Sequence, residues 1–178
     1  LSLAFLFFFV GVYVMFANAI RRRYGLSLAP WFAFMSIMLG LSQLFSRNVM
    51  FMISDAAGVY YHVGLLAMLL FPVGLWRYVE ISFGPGGMKL VRRCWQLQIL
   101  VCAAIWIPDV MGWAPFNVVG QMLGNGALAF QLLVGLIVGW RQWMRGNASQ
   151  RPIALGVLLF SAAGLWDVTT SFLPIATG

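Results

Sequence analysis

The stretch IALGVLLFSAAGLWDVTTSFL, residues 153–173, decides what kind of fold this chain adopts. A run of about 20 mostly apolar residues crosses a hydrocarbon core of about 30 Å as one α-helix. One carboxylate, Asp167, lies roughly 9 Å inside the C-terminal end of that helix at 1.5 Å per residue. A charge at that depth costs about 2–3 kcal/mol without a partner or water, so Asp167 is expected to face the interior of a helix bundle.

Small and polar residues are predicted to form the packing face of this helix, while large apolar residues on the other side meet lipid. The predicted packing face consists of Gly156, Ala163, Gly164, Asp167, Thr170 and Ser171.

The composition of the whole chain points to the same environment. Hydrophobic residues make up 62% of the 178 residues and charged residues 8%, with a mean hydropathy of +0.92. A soluble domain of this size has too little interior to bury that much apolar surface, so the chain is an integral membrane protein. Cys94 and Cys102 fall in one apolar run and are interpreted as small core residues, with neither a disulfide nor a metal site.

Six apolar runs predict an all-α, polytopic transmembrane helix bundle that forms a single domain. The predicted spans are 1–20, 28–45, 57–79, 94–107, 116–140 and 153–173. Pro72 lies inside the third span, where a missing backbone donor predicts a bend and a candidate hinge. The chain begins at Leu1, inside an apolar run and without methionine, so we expect a processed protein or a piece of a longer one.

The basic residues predict the orientation. Of the 11 Lys and Arg residues, Arg47 alone lies in a loop after an even-numbered span, and the others lie in or beside the loops after spans one, three and five. By the positive-inside rule those odd loops are cytoplasmic and the N-terminus lies outside. The net charge of +7 is explained in this way, which argues against a nucleic-acid partner.

Polar groups gather at the predicted outer level of the bundle. Asp55, Asp109 and Asp167 lie there, and the hypothesis is a polar ligand pocket that opens to the outside. Its candidate ligand-binding residues are Asp167, Arg47, Gln43, His62, Asn117 and Gln121. The alternative is that the same groups only hydrogen-bond between helices, at about 0.6 kcal/mol per contact.

Asp167 is predicted to pair with Arg47 or, failing that, with Gln43 or Gln121. Arg47 is the one base on the outer side, and a buried carboxylate gains most from a bidentate guanidinium. His62, the single histidine, is interpreted as an interfacial residue or a pH sensor.

No metal ligand set, nucleophile motif or cofactor motif is recognisable, so neither an enzyme nor a bound cofactor is predicted. A haem held by His62 and a methionine is chemically conceivable, but nothing in the sequence specifies it. Arg77 and Glu80, three residues apart, are interpreted as a local ion pair near the cytoplasmic end of the third span.

Three stretches resemble the membrane part of the bacterial seven-transmembrane receptors with diverse intracellular signalling modules. They read LGLSQLFSRNVMFMISD, YVEISFGPGGMKLVRRCW and LWDVTTSFLPI, and the resemblance extends through the loop spacings over nearly the whole chain. It implies a bacterial inner-membrane protein with a cytoplasmic output module after a seventh helix, and no catalytic residue in the membrane. The chain departs from that pattern because it ends after six spans.

The leading hypothesis is therefore a sensor or receptor domain that binds a small molecule from the outer side and relays the signal through helix packing. Its expected partners are the lipid bilayer, that ligand, an output module and, as one arrangement, a second copy in a homodimer. A transporter or channel subunit is the alternative, as is a helical subunit of a larger membrane complex. The apolar inner halves of the first, fourth and sixth spans favour the sensor over a transport path.

Overall fold

The structure is a computed structural model that describes residues 2–21, 28–45, 57–83, 89–113 and 119–172. Within those ranges it contains six helices and no strand, which confirms the all-α fold. The helices are α1 (Ser2–Arg21), α2 (Leu28–Phe45), α3 (Ala57–Phe83), α4 (Lys89–Val110), α5 (Val119–Arg145) and α6 (Arg151–Phe172).

Five of these helices, α2 to α6, are long and apolar enough to cross a membrane, and α1 contains a shorter apolar stretch at Leu3–Ala19. The chain is thus a multi-pass helical membrane protein. Several helices extend beyond the predicted spans, most clearly α4, which begins at Lys89 and continues through Pro108. The predicted spans end where charged residues begin, but a helix continues through the interface because its backbone bonds stay satisfied there.

Each helix packs against the next one along the chain. Glu80, near the end of α3, contacts Arg92 near the start of α4, whereas His62 near the start of α3 contacts Asp109 near the end of α4. The two helices are therefore antiparallel. We name the end that carries Glu80 and Arg92 the basic end; the Gln150 side chain, just before α6, donates to the Ser82 carbonyl there.

Glycines let neighbouring helices approach closely. A Cβ added to Gly40 on α2 would lie 2.7 Å from the backbone nitrogen of Phe8 on α1. A Cβ on Gly139 of α5 would lie 2.8 Å from Cγ of Leu158 on α6. Small residues at helix contacts allow the backbone proximity on which packing in lipid depends.

Gly40→Ala is expected to destabilise the bundle by about 1–3 kcal/mol, the range for forcing a methyl group into a filled interface. Gly156→Ala is the matched control, because no atom lies within 4 Å of its added Cβ and the gain in helix propensity is the same. The free energy of unfolding in bicelles measures the difference. Equal stability of the two variants would contradict the close α1–α2 contact.

The predicted packing face of α6 is partly wrong. Gly156, Ala163 and also Asp167, which was expected to face the interior, are exposed, whereas Ala154, Val157 and Ser161 are buried at helical spacing. Ser161 faces Gly135 of α5. Small size permits packing at a position but does not require it, so the face is set by the surface of the neighbouring helix.

The main apolar core lies toward the basic end, between α3, α4, α5 and α6. It contains the buried Cys94, and Cys102 is buried in a second cluster nearer the opposite end, which agrees with the interpretation of both cysteines as core residues. The main core comprises Trp76, Val79, Phe83, Val91, Cys94, Val134, Val138, Ala154 and Val157.

A candidate ligand cavity beside a buried polar chain

A chain of hydrogen bonds joins α3, α4 and α5 in the middle of the bundle. Trp76 Nε1 donates to Gln131 Oε1 at 2.7 Å, and Gln131 Nε2 donates to Gln98 Oε1 at 2.6 Å. Gln98 Nε2 then donates to the Leu69 carbonyl at 2.8 Å. Gln131 and Gln98 are only 1% and 5% exposed. We call this set the polar chain.

The polar chain ends beside a break in the bonding of α3. Pro72 has no N–H, so the carbonyl of Met68 lacks its usual intrahelical donor, and the proline ring crowds the preceding turn. The Leu69 carbonyl lies in that turn and accepts from Gln98, a side chain of another helix. Neighbouring side chains commonly satisfy backbone groups around a proline in a transmembrane helix. The bond thus ties α4 to α3 in the turn that precedes Pro72.

A cavity of about 250 Å³ lies next to the polar chain, between α3, α4, α5 and α6. Gln98 and Leu69 belong to its wall, so the polar chain and the cavity share two residues, and Pro72 lines the cavity beside them. The cavity is lined by Met68, Leu69, Pro72, Gln98, Gly120, Gly124, Asn125, Leu128, Asp167 and Val168.

The cavity wall combines one charge with two amides and an apolar surface. Among its described residues the carboxylate of Asp167 is the single formal charge, and the amides are those of Gln98 and Asn125. Gly120 and Gly124 add no side chain, which leaves room at the α5 wall. A concave apolar surface with a few convergent polar groups is the usual form of a small-molecule site.

A second, small cavity of about 20 Å³ lies on the apolar side of the polar chain. Pro72 and Leu128 border both cavities, and Trp76, Gln131 and Ser161 line the small one. The centre of α3 therefore has space on two sides, and the small cavity also borders the main core at Val79 and Val157.

The predicted site residues do not all meet at this cavity. Asp167 lines it, while Gln43 is exposed on α2 and is not among its lining residues. Gln121 lies on α5, but its side chain is outside the described part of the chain. Arg47 and Asn117 also lie outside the described residues, so the pairing of Asp167 with Arg47 stays a prediction.

His62 lies elsewhere, at the end of the bundle opposite the basic end. Its Nδ1 is 3.0 Å from Oδ2 of the buried Asp109 carboxylate, and its backbone carbonyl accepts from Trp106 Nε1 at 3.2 Å. Both partners lie on α4. The pair therefore joins α3 to α4 and is separate from the cavity wall.

The predicted pair of Arg77 and Glu80 is confirmed at 2.6 Å and is part of a larger cluster. Glu80 also accepts from Arg92 Nε at 2.8 Å and from Trp95 Nε1 at 2.9 Å. The Arg77 guanidinium lies over the Trp31 ring at 5.3 Å and the Trp95 ring at 5.1 Å. This basic-end cluster joins α2, α3 and α4.

The sequence reasoning missed Gln98, Asn125 and Trp76. A signal for Gln98 was present, because it is an isolated amide in an apolar run and the buried residues of α4 recur around it at helical spacing. Those buried residues are Val91, Cys94, Gln98, Cys102 and Ile105. No comparable periodic signal marks Asn125, which is half-buried.

Fold and cavity together define a class: a multi-pass helical membrane protein with a small polar cavity between four of its helices. Comparisons with protein-family models, curated proteins and solved structures find no match to this chain.

Proposed function

We propose that this chain is the sensing domain of a membrane receptor, in which a small molecule occupies the cavity and changes the geometry of α3. The observation that carries the proposal is the double role of Gln98. Its side chain lines the cavity and also donates to the Leu69 carbonyl in the turn before Pro72. A ligand that touches Gln98 therefore acts on a hydrogen bond that reaches α3 in the turn before its proline.

The physical basis is a shift between two arrangements of α3. Helices bend where a proline removes a bond, and a small change in support there moves the two halves relative to each other. A ligand shifts such an equilibrium only by its differential affinity for the two arrangements. Contact with Gln98 provides this differential affinity. The resulting movement of α3 is transmitted to the basic-end cluster, which lies at the predicted cytoplasmic side. An output module attached beyond the described residues would receive it.

A transporter or channel subunit is the second candidate, since Asp167 and Gln98 would suit a polar path. Such a path must continue from the cavity to the basic end. The nine-residue apolar core of Trp76, Val79 and their neighbours lies between the two and is buried. That packing supports a dead-end binding site, in keeping with a sensor.

A filled cavity is expected to mimic the bound ligand. Gly124→Leu introduces a side chain at the cavity wall and is expected to weaken the bond between Gln98 and Leu69. Amide exchange around residues 69–76 should then rise roughly fivefold, the factor that corresponds to about 1 kcal/mol for one hydrogen bond. Hydrogen–deuterium exchange of the protein in lipid nanodiscs measures this directly.

Gly126→Leu is the matched control, because Gly126 lies on the same helix, is exposed and has no atom within 4 Å of its added Cβ. It should leave the exchange of α3 unchanged. If Gly124→Leu also leaves the amide exchange of α3 unchanged, the cavity is not coupled to α3 and the proposed sensor is wrong. Flux of a cavity ligand through proteoliposomes containing the wild-type protein would favour the transporter instead.

A further inference from the structure

The basic end of the bundle carries more exposed bases than its acids can balance. Of the four acidic residues in the chain, Glu80 is the one in the described part of this end, and it is already bonded to two arginines and a tryptophan. The segment between α3 and α4, residues 84–88, reads GPGGM, and the turn between α5 and α6, residues 146–150, reads GNASQ, so neither adds an acid. The surplus positive charge of this end therefore lies on its surface.

Two pairs of these bases belong to neighbouring helices. Lys89 and Arg93 lie one turn apart on α4, and Arg141 and Arg145 lie one turn apart on α5. All four are exposed, and none of them forms an ion pair within the described part of the chain. Because like charges repel one another, an anion placed among the four is favoured.

Arg141 and Arg145 continue the face of α5 that is turned to α4. This face begins at Gln131, which bonds to Gln98 of α4, and it recurs at steps of three and four residues. Its members at 134 and 138 are valines of the main core, which also contains Val91 and Cys94 of α4. The face comprises residues 131, 134, 138, 141 and 145.

A second contact between α4 and α5 gives their relative direction. A Cβ added to Gly124 of α5 would lie 3.7 Å from Cδ1 of Ile105 on α4. Compared with the bond between Gln98 and Gln131, this contact is seven residues later on α4 and seven residues earlier on α5. The two helices are therefore antiparallel, and the start of α4 lies beside the last turns of α5.

This register places the bases at the level of the lipid headgroups. Lys89 comes nine residues before Gln98 and Arg141 ten residues after Gln131, so both lie about 14–15 Å from the polar chain at 1.5 Å per residue. Half of a hydrocarbon core of about 30 Å is about 15 Å, and the polar chain lies in the middle of the bundle. The exposed Trp140 beside Arg141 fits the same level, since tryptophan is enriched at the membrane interface.

Exposed apolar side chains lie below these bases, toward the middle of the membrane. On α4, Leu97 lies one turn below Arg93, and Leu100 follows it. On α5, Ile137 lies one turn below Arg141. A phospholipid has the matching form, with a phosphate at headgroup level and hydrocarbon chains beneath it.

We propose that the seam between α4 and α5 at the basic end binds a phospholipid of net negative charge. Its phosphate lies among Lys89, Arg93, Arg141 and Arg145, and its acyl chains lie on the apolar side chains below. Arginine offers a planar fork that matches phosphate, and basic clusters at the cytoplasmic ends of transmembrane helices attract anionic lipid. Such a lipid site is independent of the ligand cavity and of the proposed sensor.

The test measures lipid binding to the full chain by native mass spectrometry, from micelles with graded amounts of phosphatidylglycerol or phosphatidylcholine. Both lipids carry a phosphate, but phosphatidylglycerol alone has a net negative charge. It is expected to bind at least roughly tenfold tighter, because each base near an anionic lipid contributes a factor of roughly five. Arg93→Gln and Arg141→Gln should each lower its affinity roughly fivefold and leave phosphatidylcholine binding unchanged.

Arg151→Gln is the matched control. Arg151 is exposed at the same end and its loss changes the net charge equally, but it begins α6, which packs against Gly135 and Gly139 of α5. Its loss should lower the affinity less than about twofold, because salt at about 0.15 M screens exposed charges beyond about 8 Å. All three arginines are exposed, so each variant should keep the wild-type Tm in phosphatidylcholine.

Three outcomes overturn the proposal. Equal affinities of the wild type for the two lipids mean that the seam does not select a negative charge. Equal losses for Arg151→Gln, Arg93→Gln and Arg141→Gln mean a general attraction to the basic end without a site at the seam. Displacement of phosphatidylglycerol by an equal concentration of inorganic phosphate replaces the lipid with a soluble anion.

Discussion

Glu80→Leu is expected to destabilise the bundle by about 3 kcal/mol, the largest effect of any single change considered. The Glu80 side chain is only 10% exposed and accepts from Arg77, Arg92 and Trp95. Breaking a buried ion pair by removing one partner costs about 3–5 kcal/mol because the other charge is left uncompensated. Arg77 would be that charge, and its position between two tryptophan rings restricts its escape to water. The expected cost lies at the lower end of this range because the Arg77 side chain is 24% exposed.

Arg92→Leu is the matched control for Glu80→Leu. It removes another member of the same cluster, but the Arg92 side chain is 59% exposed, so its loss is expected to cost less than about 1 kcal/mol. The double variant Arg77→Leu with Glu80→Leu should be less destabilised than the sum of the singles, since neither charge is then stranded. Unfolding free energies in bicelles provide the comparison. Similar losses for Glu80→Leu and Arg92→Leu would show that the carboxylate is not the centre of the cluster.

The sequence was sufficient for the fold because each helix is specified locally. An apolar run long enough to span a bilayer forms a helix whatever its neighbours are, since lipid leaves the backbone no other partner. The pair of Arg77 and Glu80 was predictable for the same reason, as residues three apart meet on any helix. Trp95 and Arg92 joined that pair only through the antiparallel packing of α3 on α4, which no local rule contains.

The site was less predictable because it depends on how several helices are rotated against one another. Asp167 was found from its chemistry alone, since a carboxylate in an apolar span needs a polar environment. Its predicted neighbour Gln43 belongs to the same helix as the buried Ser36 and Gly40, yet it is exposed. The amides that line the cavity with Asp167 are Gln98 and Asn125, from helices whose register only the packing determines.

Gln131→Leu is expected to destabilise the bundle by about 2 kcal/mol. The change leaves the Trp76 Nε1–H donor and the Gln98 Oε1 acceptor without their partner in the polar chain. A stranded buried group costs about 1–3 kcal/mol, whereas a single interhelical hydrogen bond in a membrane averages about 0.6 kcal/mol. The Gln131 side chain is 1% exposed. Because two groups are stranded there, the expected loss exceeds the average for one interhelical hydrogen bond and falls within the range for a stranded buried group. Gln142→Leu, a half-buried glutamine on the same helix, is the control and should cost well under 1 kcal/mol.

The double variant of Gln98 and Gln131 distinguishes a connected chain from two separate contacts. Gln98→Leu alone leaves Gln131 Nε2 without its acceptor and removes a side-chain donor from the Leu69 carbonyl, whereas Gln131→Leu alone leaves Trp76 Nε1 and Gln98 Oε1 without their partner. Both changes together leave no glutamine amide stranded and leave only Trp76 Nε1 without its acceptor, so the double variant should be no less stable than either single. Additive losses would mean that the glutamines act independently. When Gly124→Leu is added to the double variant, it should no longer change the amide exchange of α3, because the Gln98 side chain that connects the cavity to Leu69 is gone.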